Sequence, residues 1–198
     1  MKNINLRGFK IFIASPGDLY NFHNIVKQTI HKFNWLHAIE SGVIFIPFNH
    51  EDGPGGYSDN GVQELINKTA FERDYAIIMF GKKLGTETQN YRSGTIEEYE
   101  RSKNLIKEGK MLDLLVLVKN SKIVLSEING TREELEEYME TKAYIEDTLH
   151  AEGFCKPFNN EGDIIQELDT FLTYKLRDLG GKKEKEVSVS DVKDPSEI

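Results

Sequence analysis

Four short apolar runs punctuate this chain: FKIFIAS (9–15), VIFIPFN (43–49), YAIIMF (75–80) and LDLLVLV (112–118). Longer segments with helical spacing lie between them, and strands alternating with helices are the pattern of a parallel sheet with crossover helices. The spacing predicts a helix from about Pro16 to Leu36. A second is expected over Val62–Arg73, with Val62, Leu65, Ile66 and Ala70 on one face, and a third over about 95–109. TREELEEYMETKAYIEDTLHAEG reads as a long helix opened by a capping box, Thr131 with Glu134. A short strand near CKPF and a last helix over about Gly162–Asp178 complete the set.

The expected architecture is α/β: a doubly wound, mainly parallel sheet of about five strands in flavodoxin-like order, with helices on both faces in three layers. In that class the helices after the strands start at the carboxyl edge of the sheet, where ligands bind. Residues 1–180 fit one domain. Residues 181–198, with Lys and Glu runs and no aromatic residue, are expected to be a disordered tail or a linker to a further module.

Composition narrows the partners. A net charge of -8 argues against a general nucleic-acid or membrane-surface binder, since both need clustered positive charge. The apolar runs fall short of the roughly 20 residues of a membrane-spanning helix. The start MKNINLRGFK lacks a signal-peptide core and a lone Cys155 cannot form an internal disulfide, so the expected location is cytoplasmic. His23, His31, His37, His50 and His150 show no ligand spacing, and no metal is expected.

Three segments should meet at the carboxyl edge. In IASPGDL (13–19), Ser15 before Pro16, with Asp18 at the third helical position, reads as a helix cap. It also reads as a polar cradle in which Gly17 and free backbone N–H groups take a phosphate or ribose. Asp18 would compete with a phosphate, which favours a ribose hydroxyl. HEDGPGGYSDNGVQ (50–63) is glycine-rich and longer than most strand-to-helix connections; it is either a plain surface loop or a binding loop whose Tyr57 could stack on a flat ring.

The third segment is YRSGTIEEYERSKNLI (91–106). Thr95 and Glu98 match a capping box. Glu97 lies one turn from Arg101 and is expected to pair with it on a solvated face. Glu98 stands between two small residues, Gly94 and Ser102, so its carboxylate should stay uncovered and face the crevice. Helix cap and catalytic group are both open readings of it.

FKIFIASPGDL, Gln63–Asn67 in VQELIN, Asp74, GTET (85–88) and SGTIEEY (93–99) together resemble the TIR-like (Toll/interleukin-1 receptor-like) domains of the bacterial SPGDL type, over roughly residues 8–120. The pattern is also similar to the nucleoside deoxyribosyltransferase-like folds, whose Gly-Thr-x-x-Glu turn carries a catalytic glutamate; on this chain that glutamate is Glu98. One difference is YNFHN (20–24), where such domains often carry a Glu-Arg pair.

The resemblance implies cleavage of the nicotinamide–ribose bond of NAD, as substrate rather than cofactor, often in bacterial defence against phage. Glu98 would then be catalytic, with Ser15, Gly17, Asp18, Ser93 and Thr95 at ribose or phosphate and Tyr57 over the nicotinamide. It also implies self-association on activation and a fused or separate sensor or effector. A non-catalytic adaptor module, or an enzyme acting on another N-riboside, would carry much the same residues.

Overall fold

The computed structural model describes residues 5–52, 73–85, 88, 91–120, 131–153 and 155–186. Strand β1 (Arg7–Ala14) leads through a 3-10 turn (Gly17–Leu19) to α1 (Phe22–Ser41), then β2 (Val43–Phe48) and a 3-10 turn (His50–Asp52). Strand β3 (Tyr75–Phe80), α2 (Gly94–Lys107) and β4 (Asp113–Lys119) follow. Helix α3 (Arg132–Tyr144) runs on through a π-helical turn (Ile145–Leu149) to a last turn (His150–Glu152), before β5 (Lys156–Phe158) and α4 (Glu161–Glu186). The five strands are ordered β2-β1-β3-β4-β5 and every pairing is parallel. This is the expected doubly wound α/β sheet.

Burial explains the order. All six residues of β3 are buried, as a central strand covered by helices on both faces requires. On one face Ile11, Ile13, Ile77 and Leu117 pack with α1 and α4 through Val26, Ile30, Leu168 and Leu172. On the other, Phe12, Ile78, Phe80 and Val116 pack with α2 through Ile96 and Tyr99 and with the π-helical turn after α3 through Ile145 and Leu149. Each large apolar side chain so buried contributes about 1.5–3 kcal/mol. A surface pair such as Arg132 with Glu136 adds only a few tenths, so the two sheet faces decide the fold.

Helix α1 starts later than expected. Pro16 is extended, Leu19 N–H donates to the Pro16 carbonyl (3.0 Å), and the α-helix begins only at Phe22. Ser15 therefore does not cap it. At its far end Gly42 takes φ 67 and closes the helix through its N–H to the Ala38 carbonyl. Helix α4 passes its expected end near Asp178 and continues through Gly180 and Gly181. The expected helix 62–73 lies outside the described residues except for Arg73, which is non-helical just before β3, and the side chain of Glu134 also lies outside them.

Strand β2 ends the sheet, and the outward-facing groups of Val43 and Phe45 are occupied. Asn34 of α1 receives the Phe45 N–H on Oδ1 (2.9 Å) and donates from Nδ2 to the Phe45 carbonyl (2.6 Å). The Val43 N–H donates to Ser41 Oγ (3.1 Å), and Pro47, two residues beyond Phe45, has no N–H to offer.

Candidate functional site

The first turn of α2 lies at the carboxyl edge of the sheet. Ser93, extended at φ -161 and fully buried, accepts the Ile96 N–H on Oγ (3.1 Å) and is the N-cap. The expected capping box of Thr95 and Glu98 is therefore not the device used, and Glu98 is free of that duty. Residues Thr95 through Tyr99 are all buried, so this turn has no solvated face. Glu97, expected on one, is 8% exposed. The Gly94, Glu98, Ser102 stack does exist, but the Glu98 carboxylate is not left uncovered.

A cation from another element covers it. Arg73 Nη1 donates to Glu98 Oε2 (2.6 Å), with side-chain exposures of 0% and 4%. Arg73 Nη2 donates to Ser102 Oγ (3.1 Å), whose hydroxyl donates to the Glu98 carbonyl (2.6 Å), and the guanidinium lies 4.7 Å from the Phe12 ring centre. Burial pulls the Arg73 pKa down from its ordinary value and the Glu98 charge opposes that pull. The pairing makes an ionised carboxylate tolerable in a buried setting, where an unaccompanied one would cost several kcal/mol. Glu98 Oε1 and Arg73 Nε have no hydrogen-bond partner among the described residues.

Glu98 lines a pocket of about 210 Å³ together with Phe12, Ser15, Gly17, His50 and Thr95. Of the residues expected at the site, the fold brings Ser15, Gly17, Thr95 and Glu98 together. Ser93 does not line the pocket and spends its hydroxyl on the cap. Asp18 also stands off it: its Oδ2 accepts the Lys82 N–H (2.9 Å) and ties the turn after β1 to the one after β3. Tyr57 lies outside the described residues. Gly85, at φ 100, also lines the pocket, and a Cβ there would lie 3.4 Å from that of Pro16. The volume is below the roughly 300 Å³ at which drug-sized ligand sites begin.

Behind Ser15 runs a chain of polar contacts that the sequence did not disclose. His23 Nε2 is 2.8 Å from Ser15 Oγ and Nδ1 is 3.1 Å from Asn49 Nδ2. Lys27 Nζ donates to Asn49 Oδ1 (3.4 Å) and to Asp52 Oδ2 (2.6 Å). Burial pushes the His23 pKa down to about 4, and the neighbouring His50 and Lys27 charges push the same way. The imidazole is neutral at physiological pH.

Among the described residues no group of three or more His, Cys, Asp or Glu side chains could hold a metal ion, and no helix is long and apolar enough to cross a membrane. No protein-family model, curated protein or solved structure matches the chain.

Proposed function

We propose that the chain is an N-ribosyl hydrolase that cleaves the nicotinamide–ribose bond of NAD, with Glu98 as its catalytic carboxylate. One observation carries the reading: a glutamate that lines a pocket at the carboxyl edge has one oxygen held by a buried arginine and the other without a partner among the described residues. The similarity to TIR-like domains supports NAD as the substrate.

The chemistry asks little more of the protein. Cleavage passes through an oxocarbenium-like state, and a carboxylate beside the ribose stabilises the growing positive charge. Ordinary glycosidases need a second carboxyl to protonate the leaving oxygen. Nicotinamide is cationic while attached and leaves neutral, so one carboxylate suffices. Water then adds to the ribose C1′ and loses a proton, giving ADP-ribose. In this role the buried Glu98 Oε1 becomes accessible when substrate enters and accepts from a ribose hydroxyl, while Arg73 holds Oε2. Thr95 and Ser15 contact the sugar, and the rest of the dinucleotide lies over the pocket rim. A cytoplasmic role in antiphage defence, switched on by self-association or by a sensor module, accords with the same similarity.

The Arg73 contact also favours a second reading, a non-catalytic interaction module in which Glu98 exists to satisfy a buried guanidinium. Nicotinamide release at high protein concentration with a crowding agent separates the two. Wild type and Glu97→Gln should release nicotinamide, and Glu98→Gln should lose about 100-fold or more. Equal activity in Glu98→Gln would remove the catalytic role. Release of a base from other N-ribosides but not from NAD would move the substrate to that class.

A further inference from the structure

The hydrogen-bond order around Ser15 can be assigned atom by atom. Lys27 Nζ is a donor only and lies against Asn49 Oδ1, which leaves the Asn49 amide NH2 facing His23 Nδ1. A neutral imidazole that accepts on Nδ1 carries its proton on Nε2. That proton points to Ser15 Oγ, so the hydroxyl is an acceptor from His23 and keeps its own hydrogen to give away. Among the described residues the hydroxyl gives it to the adjacent Pro16 carbonyl, at 3.2 Å. A ligand oxygen entering the pocket could replace that contact.

This order excludes the reading the three side chains first suggest. A serine, histidine and asparagine in series resemble a nucleophile with its base, but activation needs Nε2 to accept the serine proton. Here Nε2 donates, so Ser15 is not primed to attack.

Resting on the N-ribosyl hydrolase reading, we propose that His23, backed by Asn49, is a positioning residue that fixes the Ser15 hydroxyl as a hydrogen-bond donor to an acceptor oxygen of the substrate. The oxygen belongs to the sugar or to the phosphate next to it, since Ser15 shares the pocket with Glu98. A second acceptor near Glu98 would repel such an oxygen, whereas a donor there complements it. Asp18, held by the Lys82 N–H, does not line the pocket, and His50 does.

Among the described residues the groups facing His23 are Tyr20 (ring centres 4.9 Å apart), Ser15, Asn49, Lys27, His50, Glu51 and Asp52. Burial is the largest influence against a charged imidazole, His50 and Lys27 act the same way, and the two carboxylates favour one. The acceptor state of Nδ1 should therefore hold across the working pH range.

Long-range proton–nitrogen NMR of the imidazoles, with His23→Gln to assign the signal, reads the tautomer directly. A neutral ring with hydrogen on Nε2 from about pH 5 to about 8 is expected, and a hydrogen on Nδ1 or a charged ring at neutral pH would overturn the proposal. Kinetics supply the second arm. Ser15→Ala and His23→Phe should each raise the KM for NAD roughly tenfold with kcat changed far less. The double variant should be no worse than the poorer single one. His23→Gln, which keeps a donor near the Nε2 position, should recover most of the loss even if the phenylalanine variant folds badly. Additive losses, or a wild-type KM in Ser15→Ala, would also overturn it. A wild type that releases no nicotinamide would end the NAD reading instead, and the tautomer would then decide the His23 assignment alone.

Discussion

Arg73 and Glu98 stand 25 residues apart in sequence and meet at 2.6 Å, both shielded from solvent. Removing one partner of such a pair leaves an uncompensated buried charge, which costs about 3–5 kcal/mol. Arg73→Met should lose that much in urea unfolding. Glu98→Gln keeps an acceptor oxygen and should lose about 1–3 kcal/mol. The double variant should be more stable than the sum of the two losses predicts. Strict additivity would mean that the pair does not form in solution.

Asp18 and Gly81 make a second, tighter fit. A Cβ on Gly81 would lie 2.5 Å from Asp18 Oδ2 and 2.9 Å from Leu19 Cγ. Gly81→Ala should therefore displace the Asp18 carboxylate from the Lys82 N–H and cost about 1–3 kcal/mol. In an Asp18→Ala background the same change should cost less, because the nearer obstacle is gone. An undiminished cost there would place the clash on Leu19, and thermal unfolding of the four proteins measures it.

His23 predicts an acid limb of stability. Its folded pKa, about 4, lies below the ordinary 6.5, so the unfolded chain binds the proton more readily. Stability should be full above pH 6.5 and fall as the pH drops from there through about 4. Asp52 acts lower, because its pKa is held below the ordinary 3.8, with Lys27 and the Asn49 N–H countering burial. Urea midpoints across this range should show the first loss in wild type and not in His23→Gln.

The sheet was legible because strand period and helix period alternate cleanly in the chain, and β3 and β4 announce themselves as continuous apolar runs. The stack of Gly94, Glu98 and Ser102 was legible too, being visible at helical spacing, but the uncovered carboxylate it suggested is instead buried under a cation. That cation was not legible. Arg73 reaches Glu98 only because β3 and α2 are brought together by a crossover, and no local pattern links ERDYA to SGTIEEY. The YNFHN stretch, noted in the sequence only for lacking a Glu-Arg pair, supplies the neutral His23 under Ser15. At SPGDL the expected Ser15 cap is absent, because the Ser15 hydroxyl is engaged with His23 and the Pro16 carbonyl and the α-helix begins only at Phe22. The Ser93 cap lies two residues before the Thr95 that the box with Glu98 suggested.

The Asn34 amide and Ser41 hydroxyl on β2 also bear on how the protein survives crowding. A parallel sheet that ends in open N–H and carbonyl groups is a template on which another chain can lay a strand and seed aggregates. On β2 the groups of Phe45 are already taken, Val43 N–H is engaged and Pro47 has none to give. Asn34→Leu should thus reopen the edge and raise light scattering with concentration, while leaving the pocket at the other end of the strands unchanged. The protein can therefore reach high local concentration without the β2 edge becoming the glue.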